Sequence, residues 1–470
     1  MISIMSEIHE ENRDKRNVAA DCRRMGMYIH IPFCVKKCSY CAFLSFPAEE
    51  SPRAEYTDAL INEIRLRSCM KEDLQGDETR SGSAEKGKER IILDTIYIGG
   101  GTPSVLDVSQ LSNILKAVRK YYVIAPDAEI TLEANPGTLG KKDGVTRAKL
   151  TAYRSMGINR LSMGVQSMNN DRLHFMGRIH TPGDVIRDFR LARETGFGNI
   201  NLDIIFSVPG ERTEDALEDA RRIISLGPEH ISCYSLQMEE GTPFFEMAER
   251  GEITEVPDEE DRETYHRICD LLSDAGYEHY EISNFARKEG PECESGKSGN
   301  QSKLRSAHNS LYWNMDDYIG CGLGASGFVH GIRYRNTSDM DRYLAFYGNV
   351  PEQMTILRPA ELMEEAPYEE VHANTPFDNI SEAVFTGLRR KEGISYEEAA
   401  RAYARNLNTA ETTLRNEEKD AGSFFWQIFA DAKQEAESYA ENGMLVIDEE
   451  GIRLTEKGID ISNGIMSLFV

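Results

Sequence analysis

Two observations predict an α/β fold built around a parallel sheet. After a first run at 27–32, short β-branched or apolar runs recur roughly every 34 residues, at 95–100, 129–135, 160–165, 199–206 and 230–236. Between them lie amphipathic helical patterns such as 109–122, 183–196 and 213–226. Strand, loop and helix at this period make consecutive βα units. Six such units form either an open doubly wound sheet or an incomplete barrel, and periodicity does not choose between them. Both gather their chemistry at the carboxyl ends of the strands, where the βα loops meet.

The 470 residues allow two or three domains. Residues 1–26, with five acids and five bases and no apolar period, read as a disordered lead-in. The βα core is expected over 27–256, interrupted by a polar, Gly/Ser-bearing insertion at 71–90. Beyond 256 the repeat stops. Residues 258–275 read as a helix, and 287–306 and 351–375 as inserted loops in a connecting region that ends at 375. The remainder, 376–470, is helical and closes on apolar runs at 444–448 and 452–455 around a Glu-Glu-Gly turn, a winged-helix-like end. Such an end often reads DNA, but residues 371–470 carry 10 bases against 18 acids and the whole chain is at −25, so no nucleic-acid partner is expected. No stretch reads as a signal peptide or transmembrane segment. Nine cysteines are too few and too scattered for a disulfide framework, which points to free thiols and a cytoplasmic chain.

Three of those thiols share one loop. Directly after the first strand comes Phe33-Cys34-Val35-Lys36-Lys37-Cys38-Ser39-Tyr40-Cys41, a C-x3-C-x2-C spacing. A structural zinc takes four ligands, and His30 on the preceding strand would be the fourth. Alternatively, Cys34, Cys38 and Cys41 hold three irons of a [4Fe–4S] cluster and leave the fourth iron open to a ligand. Cys22, Cys69, Cys233, Cys269, Cys293 and Cys321 have no ligand spacing and read as core or surface thiols.

The later strands end in polar strings. Gly99-Gly100-Gly101-Thr102-Pro103 lets a ligand approach backbone amides, unless it is only a tight turn. Glu133 closes the third run and Gln166 follows the fourth. Arg178 opens Arg-Ile-His, and Asp203 interrupts the apolar fifth run. A polar side chain inside an apolar strand is costly unless paired or facing a polar pocket. In successive βα units, these form a ring at one end of the sheet.

Together the strings resemble the coproporphyrinogen-dehydrogenase-like branch of the radical S-adenosylmethionine (SAM) superfamily. Further markers are Tyr28-Ile29-His30-Ile31-Pro32-Phe33-Cys34, Arg160–Ser167, Tyr280–Phe285 and Leu454-Thr455-Glu456-Lys457-Gly458. The resemblance implies an incomplete (β/α)6 barrel followed by a mainly helical C-terminal domain. It implies a [4Fe–4S] cluster on Cys34, Cys38 and Cys41, and SAM contacts at Tyr28, Gly100, Gly101, Thr102, Glu133, Gln166, Arg178 and Asp203. Dehydrogenases of this branch carry a fourth cysteine where this chain has Phe43. Its haem chaperones lack that cysteine and carry an H-N-x-x-Y-W string, here His308-Asn309-Ser310-Leu311-Tyr312-Trp313. The resemblance is therefore to the haem chaperones, with haem as ligand and haem-accepting proteins, membrane respiratory haemoproteins among them, as partners. The alternative is an oxygen-independent coproporphyrinogen III dehydrogenase. His308 can ligate haem iron while Tyr312 and Trp313 stack on the macrocycle. In the competing reading, His308 caps a loop and the two aromatics pack into a domain junction.

Overall fold

The computed structural model describes residues 22–49, 51–68, 90–288, 303–350, 366–405 and 420–470. Six strands lie side by side in chain order: β1 (Cys22–Ile31), β2 (Arg90–Gly100), β3 (Val123–Ala134), β4 (Arg160–Gln166), β5 (Asn199–Phe206) and β6 (His230–Ser235). All five pairings are parallel, as βα connections require. The crossover helices include Val108–Tyr121, Pro182–Glu194 and Thr213–Leu226. Local chemistry sets their ends. Thr181 and Asp184 form a reciprocal capping box with Pro182 in the first turn, and Gly227 closes Thr213–Leu226 at φ 67°.

Alternation along the six strands separates two faces. Ile96 and Ile98, Leu161 and Met163, and Leu202 and Ile204 share one core with helical residues such as Ile114, Leu115 and Val118. The opposite face is polar. In register it carries Tyr28 beside Tyr97, Glu133 beside Ser162, Ser162 beside Asn201, and Asp203 beside Ser232. An apolar outer face under helices and a polar inner face are the pattern of a barrel whose interior holds a ligand.

The sheet does not stop at six strands. β7 (Tyr277–Glu281) and β8 (Asn284–Arg287) form a hairpin whose second strand pairs with β6. On the far edge β9 (Tyr318–Cys321) runs parallel to β1, followed by antiparallel β10 (Ser326–Val329), β11 (Ile332–Asn336) and β12 (Tyr368–Ala373). Two expectations are corrected here. Residues 22–26 belong to β1 rather than to a lead-in, because they pair in register with residues 90–95, and Arg23 pairs with Asp317 at 2.7 Å and Arg24 with Asp94 at 2.9 Å. Ion pairs hold this end, so apolar spacing does not reveal it. Residues 368–373 form an edge strand rather than a loop, and its mostly exposed side chains leave no hydrophobic alternation to read. The insertion at 71–90 lies outside the described residues apart from the start of β2, as do most of 287–306 and 351–365, together with Cys69 and Cys293.

A fully buried ion pair ties the extension to the barrel. Glu63 and Arg67, both on helix Arg53–Arg67, pair at 2.7 Å, and Asn336 of β11 bonds both of them. Tyr343 and the Gly322 amide donate to the second Glu63 oxygen. With these lone pairs filled, the burial of charge is tolerable, and removing one partner would strand the other. Beyond the sheet, helices Pro376–Gly387, Tyr396–Ala404, Ala421–Ile428 and Lys433–Glu441 lead to a hairpin of Leu445–Ile447 and Gly451–Leu454. Ile394–Ser395 adds a third strand to it.

Candidate functional site

A cavity of about 350 Å³ opens at the carboxyl ends of β1–β6, within the size range of ligand pockets. Its wall includes Cys34, Cys38 and Cys41, Gly100, Gly101 and Thr102, and Glu133, Gln166, Arg178 and Asp203. Every SAM contact expected from the sequence is thus brought together except Tyr28. That side chain stands behind the wall, its hydroxyl bonded to His30 Nδ1 at 2.9 Å.

Glycine is required where the second strand ends. Gly100 sits at φ +106°, and a Cβ there would lie 2.5 Å from the His30 ring. A Cβ on Gly101 would meet the Phe33 backbone at 2.8 Å. This close packing brings the cysteine loop onto the glycine loop. Thr102 N donates to Phe33 O at 2.7 Å, and Thr102 Oγ1 lies 3.5 Å from Cys34 Sγ. Arg178 Nη1 donates to Cys38 Sγ at 3.5 Å, while its Nη2 bonds both Asn135 Oδ1 and Gly164 O at 2.6 Å. Burial pushes the Cys34 and Cys41 thiols above their ordinary pKa. His30 Nε2 donates to Leu44 O at 3.1 Å while Nδ1 accepts from Tyr28, so both ring nitrogens are taken. The zinc alternative therefore loses its fourth ligand. Among the described residues no three His, Cys, Asp or Glu side chains converge on a single-ion site.

Two carboxylates line the interior. Tyr97 donates to Glu133 Oε1 at 2.7 Å and the Gly100 amide donates to Oε2 at 3.0 Å, yet burial outweighs both and lifts Glu133 to about 7. Asp203 is raised by the same burial, despite accepting from Asn201 Nδ2 at 2.7 Å and Ser162 Oγ at 3.3 Å. Gln166 holds φ 65° without being glycine, and its buried Oε1 has no hydrogen-bond partner. A strained backbone and an orphaned acceptor on one cavity wall mark a group built to meet something from outside the chain.

Comparison with known proteins gives the family. A model of the radical SAM superfamily matches residues 28–223. The "Heme chaperone HemW" of Bacillus subtilis is 31% identical over 446 residues, covering 94% of this chain and 98% of that protein. The chain belongs to the HemW family of radical SAM proteins. The Escherichia coli protein of the same name is 38% identical over 307 residues, covering 65% of this chain and 70% of that one. Among solved structures, Escherichia coli coproporphyrinogen III oxidase (HemN) superposes with a TM-score of 0.69, covering 96% of this chain and 90% of the other; at 21% identity this is a likeness of fold. A radical SAM family implies SAM and a [4Fe–4S] cluster. The residues present fit both: three thiols around a cavity mouth, a glycine cradle, and the orphaned Gln166 oxygen within.

Sequence reasoning missed Tyr97, Asn135, Ser162 and Tyr234 on the cavity wall. Strict alternation from Gly99 points to Tyr97, and from Asp203 to its neighbours across the sheet, so the signal for the strand residues was period two. Asn135 follows β3 and is set by tertiary contact, bonding Thr102 and Arg178.

The His308 string does not reach this cavity. Helix Ala307–Trp313 lies on the polar inner face of the sheet, with Glu129 accepting the His308 amide at 3.1 Å. His308 is 1% exposed. Its Nδ1 lies 2.7 Å from Thr95 Oγ1 and its Nε2 2.9 Å from Tyr312 OH, while the ring stacks on Tyr97 at 5.2 Å. Burial lowers its pKa to about 3. Tyr312 meets Tyr318 edge-on, and Arg389 covers Trp313 at 4.5 Å. The string is packed as the competing reading anticipated for the two aromatics, and iron has no open nitrogen at His308.

Proposed function

We propose that this chain is a haem chaperone: it binds haem and passes it to acceptor haemoproteins, and it carries a SAM-ligated [4Fe–4S] cluster. The observation that carries the reading is the end-to-end match to proteins named as haem chaperones, 98% of one of them at 31% identity. Phe43, where dehydrogenases of the branch hold a fourth cysteine, supports it from within the chain. Cys34, Cys38 and Cys41 would hold the cluster. Gly100, Gly101, Thr102, Glu133, Gln166, Arg178 and Asp203 would hold SAM, with Tyr28 acting from behind through His30. When bound, the pair supplies one-electron chemistry at the SAM sulfonium. The chain's own contribution is positional. Arg178 sets Cys38 and Asn135 together, Tyr97 orients Glu133, and Glu133 offers carboxylate oxygens suited to ribose or amine donors. Acceptors would be haemoproteins, with membrane respiratory ones expected. Among the described residues no helix is long and apolar enough to cross a membrane.

The second reading is the dehydrogenase, favoured by the fold likeness alone. One assay separates them. Anaerobically reconstituted protein is given SAM, reductant and coproporphyrinogen III, and in parallel is titrated with haem. The chaperone reading expects a Soret shift and no protoporphyrinogen. Product above a cluster-free control overturns it.

A further inference from the structure

We propose that haem docks across the mouth of the cavity, on a rim formed by Lys36, Lys37 and Phe43 of the cysteine loop and Tyr234 of β6, rather than on His308. The proposal rests on the haem-chaperone reading above and names the surface that would carry it.

Phe43 is 69% exposed, the most exposed large apolar side chain among the described residues apart from the C-terminal Val470. It lies two positions beyond Cys41 and lines the cavity. Tyr234, which also lines the cavity, is a second exposed large hydrophobic at the same opening. Scattered exposed apolar residues need no explanation, but a group around the mouth of a polar cavity marks a binding surface. The rim is also cationic. Lys36 and Lys37 both line the cavity, and among the described residues neither is held in an ion pair. The two carboxylates of the cavity, Glu133 and Asp203, sit inside on the strands rather than on this rim. A chain at −25 thus places two adjacent free cations beside its exposed aromatics.

That pairing selects the ligand by chemistry. Haem is a flat apolar disc with two carboxylates on one edge. Phe43 and Tyr234 offer faces for the disc, and the lysine pair offers partners for the carboxylates. His308 offers neither an open nitrogen nor exposure. A rim site also suits delivery, since cargo held at a surface leaves without unfolding the barrel.

The test uses the full reconstituted chain and haem titration followed at the Soret band. Three variants are compared with wild type: Phe43→Ser, the double change Lys36→Glu with Lys37→Glu, and His308→Gln. Iron and sulfide content and the melting midpoint report whether each variant is folded and loaded. Phe43→Ser is expected to weaken haem binding about tenfold through loss of one aromatic face. The lysine double change is expected to do so by about tenfold at low salt, with the gap to wild type closing as salt screens the charges. His308→Gln, if folded, should keep wild-type affinity and Soret position. Unchanged affinity in both rim variants overturns the proposal, as does unchanged affinity with slower transfer, which would make the rim an acceptor-docking surface. Failure of wild type to bind haem overturns the chaperone reading itself, a result distinct from either.

Discussion

The cysteine loop and helix Ala307–Trp313 are the two most distinctive strings in the chain, and the fold treats them in opposite ways. The loop lies half open at the cavity mouth, with exposed Val35, Lys36, Lys37 and Phe43 between and beyond its thiols. In the helix, His308 is the residue sealed from solvent. His308 has both ring nitrogens bonded, Glu129 accepts its first amides, and Ser306 accepts from Asn309 at 3.3 Å. The two meet through Tyr97, whose ring stacks on His308 and whose hydroxyl reaches Glu133 in the cavity wall. The lesson is one of satisfaction. Both ring nitrogens of His308 find partners within the fold, whereas Gln166 Oε1 on the cavity wall has none; the buried Trp313 Nε1 of the same helix is also without one.

Four experiments break or sharpen this contrast. The largest effect is expected at the open string. Replacing Cys34, Cys38 or Cys41 by Ala should abolish a cluster of about four irons and four sulfides and its brown absorbance. The melting midpoint of the cluster-free protein should hardly move. Stoichiometric zinc without labile sulfide in wild type would refute the cluster assignment.

At the sealed His308 the effect falls on stability instead. His308→Ala should cost about 3–4 kcal/mol in denaturant unfolding, combining a cavity with stranded partners at Thr95 and Tyr312. A cost below about 1 kcal/mol would mean the helix is not the packed element described above.

Glu133 should make the cluster-free protein sensitive to pH. Its folded value of about 7 lies above the ordinary 4.5, so its contribution is fully present below 4.5 and is lost as pH rises through 7. Glu133→Gln should remove that decline, a difference of up to roughly 3 kcal/mol above pH 7. Parallel stability curves for the two proteins would show that the carboxylate is not held in a buried site.

The smallest change concerns backbone strain. Gln166→Gly should stabilise cluster-free protein by about 0.5–1 kcal/mol, because glycine adopts φ 65° without penalty and leaves no orphaned oxygen. The same change should weaken SAM binding in the loaded protein, and unchanged affinity would remove Gln166 from the site.

The sequence by itself determined the parallel core. Six strands stand where the apolar runs recur, because burial under helices demands β-branched side chains at a fixed period. It also determined most of the cavity wall: Gly100, Gly101, Thr102, Glu133 and Gln166 sit at the end of a run or just beyond it, Asp203 interrupts one, and Cys34, Cys38, Cys41 and Arg178 lie on the segments that follow. Only the tertiary structure decided what lies across the chain from these runs. The start of β1 depends on Asp94 and Asp317, and the edge strand β12 depends on β11, so neither shows in a local pattern. The fate of His308 was decided in the same way. A histidine's ligand capacity depends on whether its lone pair is already spoken for. Here Thr95, Tyr97 and Tyr312 settle that, two of them more than two hundred residues away.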